Sequence, residues 1–283
     1  MSVDMKVAMF SDVQANLPAM EVAVEQILDW RPDLVVMAGD IVNRGPSSLA
    51  CVELFDQLRR ERGWLPVQGN HETWILHCAD HKPATPLDTE MWRFAYWTYE
   101  QIAERIDAIR DWPDHLCFHA EAPDSWVHVT HGTMKGNRDG ISVRTPDHLM
   151  HEKLPEDISV FVTGHTHKPL ERIFDAMKIL NLGSVGSPFD GDPRGSYARM
   201  QFRQGRWQTE IVRFQYDRQR ADRAFSDSGF LDEGGPIARI LYQEWRLARA
   251  LMPDWRKHHE PAVLSGERPL EEAVTRFLNG LGN

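Results

Sequence analysis

The sequence predicts an α/β fold, and three observations predict it. In the first 68 residues, apolar runs of strand length alternate with helical patterns in the order β-α-β-α-β. That order implies a largely parallel central sheet with right-handed crossovers. Strand patterns then dominate from 115 to 215. Finally, five strand ends carry oxygen or imidazole donors: Asp12, Gly39-Asp40, Gly69-Asn70-His71-Glu72, His131-Gly132 and Gly164-His165-Thr166-His167. α/β folds place their chemistry at such ends. The five junctions therefore describe one site assembled from loops at one edge of a sheet.

Lys6-Val7-Ala8-Met9-Phe10 reads as a buried first strand ending at Ser11-Asp12. Asn16-Leu17-Pro18 opens a helix, with Asn16 as N-cap and Pro18 in the first turn. Its apolar residues Met20, Val22, Val24, Ile27 and Leu28 recur at helical spacing, and Arg31-Pro32 ends it. Leu34-Val35-Val36-Met37-Ala38 is a second buried strand. Ser47 or Ser48 then caps a helix running through Leu54 and Leu58 to Arg60. Trp64-Leu65-Pro66-Val67-Gln68 is the third strand, and a helical stretch starts at Glu72.

Residues 86–112 read as one long helix stopped by Trp112-Pro113. Met91, Phe94, Thr98, Ile102, Ile106 and Ile109 form its apolar stripe. Trp92, Tyr96 and Tyr99 form a neighbouring face that suits core, a subunit contact or a substrate pocket. Strands are expected at 116–118, 126–130, 158–162 and 178–180. Gly183-Ser184-Val185-Gly186-Ser187 is a small-residue turn that lets backbone approach a site or another strand. Residues 197–202 and 207–212 flank Gln204-Gly205, a hairpin signal. The tail after Tyr216 carries candidate helices at 217–226, 236–251 and 269–279. Ile237, Leu241, Trp245 and Ala248 give one of them an apolar face that must be buried. The segment 252–268, with two prolines and His258-His259, reads as a solvated loop. His128 alternates with Val127 and Val129 and is read as facing away from the core.

At 283 residues the chain suits one large domain or two small ones. Hydrophobic residues at 42% and charged residues at 26% fit a soluble globular protein. A formal charge of −10 with no basic block argues against non-specific nucleic-acid binding and against an anionic membrane surface. It leaves room for a local basic pocket for phosphate. Cys51, Cys78 and Cys117 follow no zinc or disulfide spacing, so the expected home is the reducing cytoplasm. Met1-Ser2-Val3-Asp4-Met5 leads almost directly into a strand, with no signal peptide and no apolar run of ~18 residues.

The donor set is Asp12, Gln14, Asp40, Asn70, His131, His165 and His167. Taken singly, each is an ordinary polar residue in a turn. Together they are oxygen and imidazole donors without thiolate, which suits Mn²⁺, Fe²⁺ or Zn²⁺ rather than a structural zinc cluster. Seven donors are too many for one tetrahedral ion. They fit two ions sharing a bridging carboxylate, an arrangement that catalyses in-line attack on phosphorus.

Ser11-Asp12-Val13-Gln14-Ala15-Asn16, Gly39-Asp40-Ile41-Val42-Asn43-Arg44-Gly45, Gly69-Asn70-His71-Glu72, Val129-Thr130-His131-Gly132 and Gly164-His165-Thr166-His167 together resemble the calcineurin-like metallophosphoesterase superfamily. Asn181-Leu182-Gly183-Ser184-Val185-Gly186 resembles the segment that follows in its small bacterial phosphodiesterase branch. The likeness covers roughly 5–215. It implies a four-layer α/β/β/α sandwich of two mixed sheets, here with a C-terminal helical extension. Residues 1–216 would be the metallophosphoesterase domain. Residues 217–283 would pack on it, wall the cleft or lie at a subunit interface.

By position, Asp12 and His167 would bind a first metal and Asp40 would bridge. Asn70, His131 and His165 would bind the second. His71 would act near the leaving group, as general acid or phosphate contact, and Arg44 would clamp phosphate. The cofactor would be two divalent ions, manganese first, with iron, zinc, nickel or magnesium as alternatives. Two departures stand out. Gln14 occupies a place where the family usually has His; either its weaker neutral oxygen ligates or water does. Asn43 stands where the protein-phosphatase branch has Asp, so it can orient His71 but cannot stabilise an imidazolium by charge.

The expected function is hydrolysis of phosphodiester or nucleotide-like substrates by metal-activated hydroxide attack on phosphorus. Alternatives are a phosphomonoesterase, a protein phosphatase, a dinucleoside-polyphosphate hydrolase, or a catalytically weakened binding scaffold of the same fold. The expected partner is a small phosphate ester, with no membrane. A homo-oligomer is left open.

Overall fold

β1 (Met5–Phe10) is apolar and buried from Val7 to Phe10 because both its faces are covered there. Val7 and Met9 point to one apolar cluster, Ala8 and Phe10 to another, as the period of two requires. The computed structural model describes residues 4–281; Met1, Ser2 and Val3 of the lead-in, and Gly282 and Asn283, lie outside the described residues. β1 is followed by α1 (Leu17–Trp30), β2 (Leu34–Ala38), α2 (Ser48–Arg62) and β3 (Leu65–Val67). The three strands pair in parallel, as the alternation predicts. The Asn16 side chain accepts from the Ala19 N–H and caps α1, with Pro18 in the first turn. Ser47 is the N-cap residue of α2, but its hydroxyl makes no capping bond.

α3 (Asn70–Asp80), α4 (Pro86–Met91), α5 (Arg93–Ile102) and α6 (Ile106–Arg110) follow. The long helix expected over 86–112 is thus broken, at Trp92 and across a 3₁₀ turn at Ala103–Arg105. Its stripe is nevertheless buried throughout. The spacing explains both facts. Phe94, Thr98, Ile102 and Ile106 recur every fourth residue, and a continuous α-helix would rotate them by about 40° per step. Ile102 (φ −113°, ψ 15°) leaves the helical basin and absorbs that drift.

The remaining strands are β4 (His115–Phe118), β5 (Val127–Thr130), β6 (Val160–Thr163), β7 (Leu170–Phe174), β8 (Met177–Asn181), β9 (Gly195–Arg203) and β10 (Arg206–Phe214). They complete two mixed five-stranded sheets, ordered β10-β9-β1-β2-β3 and β4-β5-β6-β8-β7. β9 and β10 form the expected hairpin, with Gln204 and Gly205 both at positive φ. The edge strand β7 escaped the sequence reading because its residues alternate only between half-buried and exposed. Val7, Met9, Val36 and Val67 of the first sheet share a cluster with Val127, Val129, Val160 and Val162 of the second. Helices cover the outer face of the first sheet. Phe161 and Ile179 on the second are covered by Ile141 and Met150. His128 faces away from the Val127 and Val129 cluster, as its alternation suggests, yet it is buried on the other face, 2.9 Å from His115 and 3.4 Å from Cys117 of the neighbouring edge strand β4.

The tail forms α7 (Arg218–Asp227), α8 (Phe230–Glu233), α9 (Gly235–Leu247), α10 (Met252–His258), α11 (Glu260–Leu264) and α12 (Leu270–Gly280). The solvated loop expected at 252–268 is therefore largely helical. Its two prolines open helices rather than break them, since each lies in a first turn where no N–H is needed. His259 is not simply solvated either; its ring stacks on Trp255 at 5.7 Å. The apolar face of α9 is buried in one cluster with Phe94 and Trp97. No helix among the described residues is long and apolar enough to cross a membrane.

Candidate active site

Four loops leave the carboxyl ends of β1, β2, β5 and β6, and a fifth leads from β3 into α3. The β1 and β2 loops run side by side: Asp12 N–H donates to Gly39 O, Gln14 N–H to Asp40 O and Ala15 N–H to Ile41 O, each at 3.0 Å. Asp12, Gln14, Asp40, His165 and His167 all adopt positive φ, between 51° and 64°. Such backbone persists only where the surroundings over-determine it.

Here Glu72 supplies much of that determination. It is fully buried, and its carboxylate accepts N–H bonds from Gly69 (2.8 Å), Asp40 (2.7 Å), Ile41 (2.8 Å) and Val42 (3.3 Å). The packing is close enough that a Cβ on Gly69 would overlap Asp40. Across the site, the small-residue turn comes in as the sequence suggests. The Ser184 hydroxyl donates to Asp12 O at 2.7 Å, and a Cβ on Gly186 would strike Val13 O.

These loops bring the seven predicted donors together as two groups sharing Asp40. In the first, Asp12 Oδ1 lies 3.1 Å from His167 Nε2, and ligand atoms of Asp12, Asp40 and His167 lie within 4.8 Å of one another. In the second, Asn70 Oδ1 lies 3.0 Å from His131 Nε2 and 2.7 Å from His165 Nδ1, with Asp40 Oδ2 3.3 Å from His131 Nε2. The Gln14 Nε2 donates to Asp40 Oδ2 at 3.0 Å, while its Oε1 is buried without a partner.

The arrangement fits a cation. His131 Nδ1 donates to Ala38 O at 2.8 Å and His167 Nδ1 to Ser187 O. In the neutral rings, Nε2 then turns its lone pair toward carboxylate oxygens, which are acceptors too. Asp12 Oδ1 is buried with no hydrogen-bond partner. Positive charge belongs between these atoms. The titration behaviour agrees. Burial disfavours the charged form of His131, yet Asp40 and Asp12 raise its pKa to about 10. Burial also opposes ionisation of Asp12 and Asp40, but the neighbouring histidines hold both below the ordinary carboxylate range. A divalent cation supplies the same charge more strongly.

His71 sits at the rim of the shared carboxylate, its Nε2 4.0 Å from Asp40 Oδ2. Burial, opposed by Asp40 and reinforced by Arg44, lowers it to about 3. The Asn43 amide lies 3.0 Å from its Nδ1. Burial and His131 likewise lower His165 to about 4.

Arg44 lines the cleft, but its guanidinium is paired with Glu244 of α9, which is 1% exposed. The other Glu244 oxygen accepts from Leu251 N–H (2.6 Å) and Met252 N–H (2.8 Å). Sequence reasoning missed both Glu72 and Glu244. Glu72 had a readable signal, an acid three residues after the N-cap Gly69. Glu244 had none, standing 200 positions from Arg44.

The cleft above these donors measures about 780 Å³. Comparison with known proteins places it. An uncharacterized protein of Methanocaldococcus jannaschii is 27% identical over 241 residues, covering 76% of this chain and 89% of its own. A metallophosphoesterase of Sphaerobacter thermophilus superposes with a TM-score of 0.69 at 25% identity, covering 87% of this chain and 99% of the other. A hypothetical protein of Pyrococcus horikoshii shares the fold, with a TM-score of 0.69 at 17% identity over 84% of this chain and 97% of that one. The profile of the calcineurin-like phosphoesterases matches residues 5–169, a span that holds all five donor loops. The chain therefore belongs to the calcineurin-like phosphoesterase family and is a metal-dependent hydrolase of phosphate esters.

Proposed function

We propose that this protein hydrolyses phosphodiester or nucleotide-like substrates at a centre for two divalent ions. The observation that carries the reading is the pair of donor groups meeting at one buried carboxylate, Asp40. Asp12 and His167 would hold one ion, Asn70, His131 and His165 the other, with Asp40 between them. When bound, the ions would supply Lewis acidity and a more acidic water. Manganese is the first choice, because oxygen donors and neutral imidazoles suit it. A reducing, cytoplasmic setting belongs to the same reading, supported by three free cysteines. So does treating 217–283 as an extension of the catalytic unit, supported by the cluster that α9 shares with α5.

The chain's own residues do the rest. A neutral His71 that accepts from the Asn43 amide at Nδ1 carries its proton on Nε2. It would therefore donate a hydrogen bond to a phosphoryl or leaving-group oxygen rather than act as a strong general acid. Arg44 would offer its remaining N–H groups to phosphate while Glu244 holds it in place. Replacing Glu244 by Gln keeps an acceptor for Leu251 and Met252 but sets an amide N–H₂ against the guanidinium. KM is expected to rise about tenfold with a smaller change in kcat. Unchanged kinetics would remove Arg44 from substrate binding.

Gln14 would ligate weakly or hold Asp40 through its amide N–H₂. Gln14→His is expected to tighten metal binding at the Asp12 side by about tenfold, read by calorimetry. Equal affinities in both proteins would show that Gln14 does not tune the site.

The function itself is tested by stripping the protein with chelator, restoring Mn²⁺, and comparing bis-p-nitrophenyl phosphate with p-nitrophenyl phosphate. Metal-dependent turnover favouring the diester is the expected result. A strong monoester preference would make the enzyme a phosphatase, and no turnover with any divalent metal would sink the catalytic reading.

A further inference from the structure

The cleft is far larger than a phosphoryl group needs, and beyond His71 its wall turns aromatic. The Trp74 ring stacks on His71 with centroids 5.8 Å apart, and Trp92 meets Trp74 edge-on at 6.4 Å and 87°. Phe94 packs on Trp74 from inside and is buried, whereas both tryptophans are only half-buried. Two indoles at a right angle form a corner. A third ring can lie flat on one and present its edge to the other, the two arrangements aromatic pairs prefer. Met252 lines the cleft as well, and it shares a smaller recess with Trp74 and Trp92. Its thioether adds a polarizable contact to the same corner. Arg138 and Arg256 bring guanidinium groups to the exposed rim of a chain whose net charge is −10.

We propose that this corner is a subsite for the base of a nucleotide ester, with Arg256 at its mouth to meet further negative charge. The inference rests on the phosphoesterase reading above and adds the place where the base of such a substrate would bind. The donor cluster, the aromatic corner and the two guanidinium groups line one cleft, and Arg256 shares the smaller recess with both tryptophans. Phosphate, base and further negative charge would each meet a matching group there. An aliphatic ester would gain burial but no ring–ring contact from the two indoles. Ala250 and the first residues of α10, Met252 and Pro253, line the same cleft.

The test is calorimetric titration of the metal-loaded protein with adenosine 5′-monophosphate, ribose 5-phosphate and inorganic phosphate. The nucleotide is expected to bind about tenfold more tightly than ribose 5-phosphate, the share a stacked base typically contributes. Trp92→Leu should remove most of that difference and leave ribose 5-phosphate and phosphate unaffected. Equal binding of the nucleotide and ribose 5-phosphate by the unmodified protein overturns the subsite, whether or not Trp92→Leu folds. So does a Trp92→Leu protein that loses affinity for all three ligands alike. If phosphate itself fails to bind and no ester is hydrolysed, the phosphoesterase reading has failed instead. The two failures are thereby told apart.

Discussion

Replacing Asp40 by Asn is expected to lower kcat/KM by a thousandfold or more, about 4 kcal/mol of transition-state stabilisation. The side chain keeps its size, so the fold has no steric reason to change. One oxygen can still accept the His71 N–H, now at 2.8 Å. The other becomes an N–H₂ group, placed where Oδ2 accepts from Gln14 Nε2 at 3.0 Å and faces His131 Nε2 at 3.3 Å. Donor then meets donor at Gln14, and neither donor group keeps the shared negative charge. Metal-to-protein stoichiometry measured beside the kinetics checks the cause, and both should fall. An Asp40→Asn protein that retains its metal and turns over within tenfold of the parent would show that the two donor groups do not depend on this carboxylate. Asp12→Asn is the internal comparison, since it should weaken only the group containing His167.

The second large effect falls on a residue that touches no substrate. Glu72→Ala is expected to cost about 3–5 kcal/mol of stability, because it leaves buried backbone N–H groups without an acceptor. In a chain of this size that corresponds to a fall in Tm of roughly 10 °C. The four N–H groups belong to Gly69, Asp40, Ile41 and Val42. They tie the loop bearing Asp40 to the loop bearing Asn70. Metal affinity should therefore drop as well, even though Glu72 is in neither donor group. Glu72→Gln keeps one acceptor oxygen and should fall between the two. Thermal denaturation with and without metal reads both effects. Stability and metal affinity within error of the parent would mean that water replaces the carboxylate without loss.

Much of this was legible because the donors are local to strand ends. A strand carries its last residues to the sheet edge, so Asp12, Asp40, Asn70, His131, His165 and His167 can be placed by finding the strands that precede them. The same logic recovered the β-α-β-α-β start and the β9–β10 hairpin, where apolar periodicity and turn chemistry agree. It failed where periodicity is ambiguous. The stripe at 91–109 was read correctly as one buried face and wrongly as one continuous helix, because every-fourth-residue spacing fits both. The prolines at 253 and 261 were read as breakers, although proline serves a first helical turn as well as it serves a loop.

The amino-acid sequence by itself determined the α/β class, the donor set and the loops that carry it, since each depends on residues a few positions apart. Only the tertiary structure decided that Glu72 ties two loops together. It alone decided that Arg44 is held by Glu244 from a helix 200 residues away. The physical reason is the same in each case. A buried charge needs a partner, but which partner reaches it is settled by how distant segments pack, and no local pattern encodes that distance.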